Sequence, residues 1–154
     1  INETQPARVV SITADALGGV EGRRVSVLGA AFKAGTDDLR ESPGMRIVEL
    51  LLQQGAEVTI YDPLVSAGAL KAWEQRGVTI APDLQAAIED ADACVIATRA
   101  DEFRSLKDVL RTKKNGRAAV IDGRRLLDPS SFEDYETYSA VGRSKQKSPS
   151  SLST

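Results

Sequence analysis

No histidine occurs among the 154 residues. That absence excludes a serine–histidine triad, a histidine general base and histidine metal ligation from within the chain. The single cysteine, Cys94, rules out an internal disulfide framework and is compatible with the cytosol. Cys94 sits in the apolar run Ala93-Cys94-Val95-Ile96-Ala97, which reads as a buried strand where a small hydrophobe suits the packing. A reactive thiol needs an exposed, electropositive setting instead, so Cys94 is expected to be structural. No apolar run is long enough to cross a bilayer and no signal-peptide pattern is present, so a soluble, cytoplasmic protein without a membrane partner is expected. An excess of basic charge is missing too. Twenty Lys and Arg stand against 22 Asp and Glu, a net charge of -2, which leaves no electrostatic footprint for nucleic acid. The pairs Lys113-Lys114 and Arg124-Arg125 are too small to alter that, and no solenoid-type repeat is evident.

What is present suits one ordinary core: the chain is 42% hydrophobic, and one main domain over residues 20–142 is the natural division. Period and turn residues predict strands near 24–28, 58–61, 78–80, 93–97, 117–121 and 137–141. Helices are predicted near 43–54, 66–76, 83–89 and 102–112, and residues 1–19 read as helical until Gly18-Gly19 interrupts them. The helix at 43–54 carries Ile47, Val48, Leu51 and Leu52 on one face, with Gly55 as its stop. Strands alternating with crossover helices predict an α/β fold: a Rossmann-like, doubly wound, mostly parallel sheet with helices on both faces. From Arg143 onward the Ser/Lys/Gln/Pro-rich sequence has almost nothing to bury, and residues 143–154 are expected to be a disordered tail.

The richest stretch runs from Val27 to Pro43. It leaves a strand at Gly29, passes Lys33, Asp37, Asp38 and Arg40, and enters a helix through Ser42 as N-cap and Pro43 as first-turn residue. Unpaired N–H groups at that helix start, a mobile lysine charge and a planar arginine fork together suit a diphosphate. The same charges equally suit a solvated loop that neutralises itself. In a doubly wound sheet ligands bind beyond the carboxyl ends of the strands, so the loops after Leu28, Ile60, Ala97 and Ile121 are the candidates. Asp62 stands where a dinucleotide-binding fold places its ribose acceptor. However, Gly29-Ala30-Ala31-Phe32 lacks the second glycine of Gly-x-Gly-x-x-Gly, and a turn aspartate before Pro63 is the favoured reading.

Residues 29–43 closely resemble the Gly-x-Ala-Phe-Lys…Thr-Asp-Asp-x-Arg-Glu-Ser-Pro segment of the C-terminal nucleotide-sugar-binding domain of the UDP-glucose/GDP-mannose dehydrogenases. Tyr61-Asp62-Pro63, residues 92–98 and the Asp-Gly-Arg-Arg segment at 122–125 resemble the same family in the same order, over roughly Gly22 to Gly142. Residues 1–19 more weakly resemble the tail of the helical region joining that family's two nucleotide domains. The resemblance implies a fragment of an NAD-dependent enzyme that oxidises a sugar nucleotide at C6, of the UDP-glucose 6-dehydrogenase type used in polysaccharide biosynthesis. It implies that Phe32, Lys33 and Arg124 bind the UDP-sugar or GDP-sugar, that Arg40 reaches the NAD pyrophosphate, and that Asp37 and Asp38 support them. The family's nucleophilic cysteine lies in an upstream Cys-x-Pro-Lys-Asp segment that does not occur here, so no catalytic residue and no metal ligand is assigned. NAD is then bound mainly by a domain absent from this chain, the isolated chain is expected to be inactive, and the whole protein is expected to be a homo-oligomer. The absence of an initiating methionine before Ile1 fits a piece of a longer protein. A stand-alone nucleotide-binding regulatory module is the alternative. A receiver-like phospho-acceptor domain is disfavoured, because Gly29-Ala30-Ala31 stands where an acidic pair is needed.

Overall fold

The computed structural model describes residues 5–31, 39, 41–135 and 137–140. Among these residues six strands form one sheet: β1 (Arg24–Leu28), β2 (Glu57–Tyr61), β3 (Thr79–Ile80), β4 (Ala93–Ile96), β5 (Ala119–Asp122) and β6 (Tyr138–Ala140). Their spatial order is β3-β2-β1-β4-β5-β6, and every neighbouring pair is parallel. This is the doubly wound order, in which the direction of winding reverses between β1 and β4. The helices are α1 (Pro6–Leu17), α2 (Pro43–Gln53), α3 (Lys71–Glu74), α4 (Leu84–Glu89) and α5 (Leu106–Leu110).

Side chains alternate across the strands while remaining apolar on both sides, as burial under two helical layers requires. Val25, Val27, Val58, Ile60, Val95 and Ile121 pack with Val9 and Val10 of α1 and Ile47, Val48 and Leu51 of α2. Leu28, Tyr61, Cys94, Ile96, Val120 and Tyr138 pack with Leu84 and Ile88 of α4 and Leu106 of α5. Ser26, polar and buried inside β1, donates its hydroxyl to the carbonyl of Ala87 on α4.

The helix ends follow the sequence. Pro6 opens α1 behind Gln5, whose side chain accepts from the Arg8 N–H at 3.0 Å; Gly18 closes it at φ +71°. The two helices expected at 66–76 and 102–112 instead begin as 3₁₀ turns, Ala67–Leu70 and Asp101–Ser105, before α3 and α5. At a helix start the first N–H groups have no i−4 partner, and tighter i−3 bonds satisfy them: Ala69 N–H reaches Ser66 O at 3.1 Å and Phe103 N–H reaches Ala100 O at 3.1 Å. β5 begins two residues later than the sequence pattern places it. There the Ala118 carbonyl accepts from a side chain, the Tyr135 hydroxyl at 2.6 Å. The segment 143–154, expected to be a disordered tail, lies outside the described residues.

Candidate functional site

The carboxyl ends of β1, β4 and β5 lie side by side in the sheet. By ordinary strand spacing the exits of β1 and β5 are about 10 Å apart, with the exit of β4 between them. A ligand touching the backbone of both outer loops must therefore be longer than a single phosphate.

The β1 exit is held by groups far away in sequence. The Asp62 carboxylate, at the end of β2, accepts from the Ala30 N–H at 2.7 Å and the Ala31 N–H at 3.3 Å with one oxygen, and from the Leu64 N–H at 2.9 Å with the other. The bond to Leu64 is the turn anticipated before Pro63, and the other two brace the β1 loop. With its oxygens on three backbone donors, Asp62 is built as a brace rather than as a ribose acceptor. Ser42 plays a double part: its hydroxyl donates to the Ala30 carbonyl and accepts from the Met45 N–H at 3.3 Å, as the N-cap of α2. Gly44, inside the first turn of α2, lies so close to the β1 loop that a β-carbon there would stand 2.4 Å from the Gly29 carbonyl oxygen. Gly29 itself has φ +112°, and its β-carbon would stand 2.4 Å from the Thr98 hydroxyl oxygen. Strand end and helix start are thus brought into direct backbone contact, as an anion-binding crossover requires.

Phe32, Lys33, Asp37, Asp38 and Arg40 lie outside the described residues. The described residues beside them are Ala30 and Ala31 on one side and Leu39 on the other, all packed in or against the core. The Ser42 N–H donates to Leu39 O at 3.3 Å, so the second anchor leads directly into the α2 cap.

Arg124 is described and half-buried, two residues past the end of β5. Its loop is built on Asp122, which is fully buried. One Asp122 oxygen accepts from the N–H groups of Arg124 at 3.2 Å and Leu126 at 3.0 Å; the other accepts from the Leu127 N–H at 2.7 Å and the Tyr138 hydroxyl at 3.4 Å. Arg125 adopts φ +53° to make this tight return.

Between these loops the β4 exit contributes Thr98, the last residue of the 92–98 segment, and Arg99, neither of which the sequence reading assigned a role. Thr98 is 2% exposed, and its hydroxyl has no hydrogen-bond partner among the described residues. Arg99 is exposed, and its Nη1 donates to the carbonyls of Arg124 at 2.6 Å and Arg125 at 3.2 Å. A residue's position just past a strand's carboxyl end was the signal that would have found both. The other half of the motif at β2, Tyr61, is structural: its hydroxyl donates to Glu102 at 2.6 Å, and its ring meets Phe103 edge-on at 6.3 Å.

Comparison with known proteins places this geometry. The profile of the UDP-glucose/GDP-mannose dehydrogenase family, UDP binding domain, matches residues 26–129. The UDP-glucose 6-dehydrogenase AglM of Haloferax volcanii is 35% identical over 137 residues, 89% of this chain and 31% of that protein. The UDP-glucose 6-dehydrogenase TuaD of Bacillus subtilis is 36% identical over 146 residues, 92% of this chain and 31% of that protein. A UDP-glucose dehydrogenase structure from Pyrobaculum islandicum superposes with a TM-score of 0.69 at 33% identity, covering 88% of this chain and 29% of that one. The chain therefore spans less than a third of the length of each of these relatives. Because the matched span opens in β1 and closes just past the loop built on Asp122, it takes in both loops beside the switch point, and the chain belongs to the UDP-glucose/GDP-mannose dehydrogenase family as its UDP-binding domain.

Proposed function

We propose that this chain supplies the UDP-sugar-binding half of an NAD-dependent nucleotide-sugar 6-dehydrogenase of the UDP-glucose to UDP-glucuronate type. The observation that carries the proposal is the pair of motif loops at the β1 and β5 exits, braced by Asp62 and Asp122 and set one strand apart on either side of β4. A nucleoside diphosphate joined to a sugar is long enough to meet both. In this reading Lys33 places a mobile charge on the phosphate or sugar end, Arg124 grips the same ligand from the opposite loop, and Phe32 adds packing and backbone groups. Asp37 and Asp38 orient the cations, and Arg40 reaches across to the NAD pyrophosphate.

The chain's own crevice does not fit NAD in the usual dinucleotide manner. The acidic residue that would take the ribose, Asp62, already accepts three backbone N–H groups, and Gly29-Ala30-Ala31-Phe32 lacks the second glycine that lets a backbone approach a dinucleotide pyrophosphate. NAD is accordingly held mainly outside this chain, whose residues bind and orient the sugar nucleotide. The isolated chain then lacks turnover, and the whole protein works as a cytoplasmic homo-oligomer. Among the described residues no helix is long and apolar enough to cross a membrane.

Calorimetry on the 154-residue chain tests the proposal. UDP-glucose is expected to bind weakly, since half of the surrounding cleft is contributed elsewhere. Lys33→Ala and Arg124→Ala are each expected to weaken it by about ten- to a hundredfold, the loss of one charge-assisted contact. GDP-mannose is expected to bind less well. Absence of heat and of chemical-shift change at millimolar UDP-glucose would refute the reading, and NADH production by the chain alone would refute its inactivity.

A further inference from the structure

We propose that Arg99 is a positioning residue that holds the Arg124-bearing loop in the conformation used for ligand binding. The consequence for the ligand rests on the UDP-sugar reading above; the consequence for the loop does not.

The loop after β5 needs holding. Arg125 is a non-glycine residue at φ +53°, where its β-carbon crowds the backbone, so the return from Gly123 to Leu127 is not the chain's local preference. Asp122 secures it from the buried side through the N–H groups of Arg124, Leu126 and Leu127. That leaves the carbonyls of the two arginines, which face neither a ladder nor a helix. Arg99 takes both with one guanidinium nitrogen, at 2.6 and 3.2 Å. A charged donor shared by two successive carbonyls fixes the peptide between them in one orientation. It also keeps the negative ends of both carbonyls engaged on a cation rather than turned toward an anionic ligand.

The placement of Arg99 gives it leverage on the whole site. It directly follows Thr98, whose side chain fills the space that Gly29 leaves open at the β1 exit. The β4 exit therefore touches the β1 loop through Thr98 and the β5 loop through Arg99, and sets their separation. Arg99 forms no ion pair among the described residues, although it is exposed. Its bonds go to backbone carbonyls, which is the behaviour of a clamp and not of a solubilising surface charge.

Amide hydrogen exchange and UDP-glucose calorimetry on the chain decide the matter, using Arg99→Ala, Arg99→Lys, Arg124→Ala and the double variant R99A/R124A. In R99A the amides of Arg124, Leu126 and Leu127 are expected to exchange about tenfold faster or more, while those of β1 and β4 and the thermal midpoint hold. Lysine, which keeps a charged donor but not the planar guanidinium that points Nη1 at both carbonyls, is expected to restore protection in part. UDP-glucose is expected to bind about tenfold more weakly to R99A, yet R99A/R124A is expected to bind no more weakly than R124A, because a residue acting through Arg124 has nothing further to lose. Unchanged exchange in R99A overturns the proposal. Additive losses in the double variant also overturn it, since they make Arg99 a direct ligand contact. Should R99A fail to fold, R99K and Arg99→Gln carry the same exchange comparison. If the unsubstituted chain gives no heat with UDP-glucose, the functional reading fails by itself, and the exchange result still stands for or against Arg99.

Discussion

Cys94 keeps its proton because it lies wholly inside the sheet, between the helices of one face and the next strands; burial pushes its thiol from 9.0 up to about 12. Tyr61 and Tyr135 are shifted upward as well, chiefly by burial, with the Glu102 carboxylate adding to the effect at Tyr61. A group whose folded pKa lies above its unfolded value contributes stability that is whole below the unfolded value and is lost as pH climbs through the folded one. The fold is therefore expected to weaken from about pH 9 upward, and Cys94→Ala is expected to flatten that decline. Urea midpoints measured across the alkaline range check this; a midpoint unchanged up to about pH 11 would contradict it. The sequence carried the inertness of Cys94, because an apolar run around a small residue is a local pattern. It carried only half of Asp62. The bond to the Leu64 N–H is a local turn, but the bonds to Ala30 and Ala31 join residues more than thirty positions apart, and no pattern along the chain announces them.

At the scale of elements, the β1–α2 crossover depends on two glycines for two different reasons. Gly44→Ala places a methyl group 2.4 Å from the backbone carbonyl oxygen of Gly29, a residue whose N–H is bonded to the Tyr61 carbonyl of β2, so the helix must shift. A loss of about 2 kcal/mol or more is expected, as for an overpacked core. Gly29→Ala meets both the Thr98 side chain and an unfavourable φ, and Thr98→Ala is expected to relieve the first part only. Gly68, in a helical turn with nothing within 4 Å of its would-be β-carbon, is the control: alanine there is expected to be neutral or to stabilise by up to about 1 kcal/mol. Chemical denaturation of the four variants orders them, and equal midpoints for Gly44→Ala and Gly68→Ala would sink the close-approach argument. The elements themselves were legible, since each strand and each long helix shows its own period and caps. The 3₁₀ entries to α3 and α5 were not, because the choice between i−3 and i−4 bonding is made by how the preceding loop arrives. Likewise Lys33 and Arg124 were readable as motif residues, whereas Arg99 belongs to no motif and acquires meaning only from the adjacency of β4 and β5.

For the whole molecule, α1 is part of the same core as the sheet. Val9, Val10 and Thr13 are buried, and the valines pack with α2 and with strand residues of β4 and β5. Deleting residues 1–17 removes two fully buried valines, at about 1.5–3 kcal/mol each, from a domain whose total stability is on the order of 5–15 kcal/mol. A large fall in the thermal midpoint is expected on truncation; a shortened chain as stable as the full one would make α1 an appendage. The sheet that α1 covers has one further property. It tapers, with five residues in β1 and in β2, four in β4 and in β5, but two in β3 and three in β6 at its described margins. At the β3 margin, where the flanking residues are described too, a strand that short offers a neighbouring molecule only a few open N–H and C=O groups on which to lay another strand, so that edge is blunted against edge-to-edge growth.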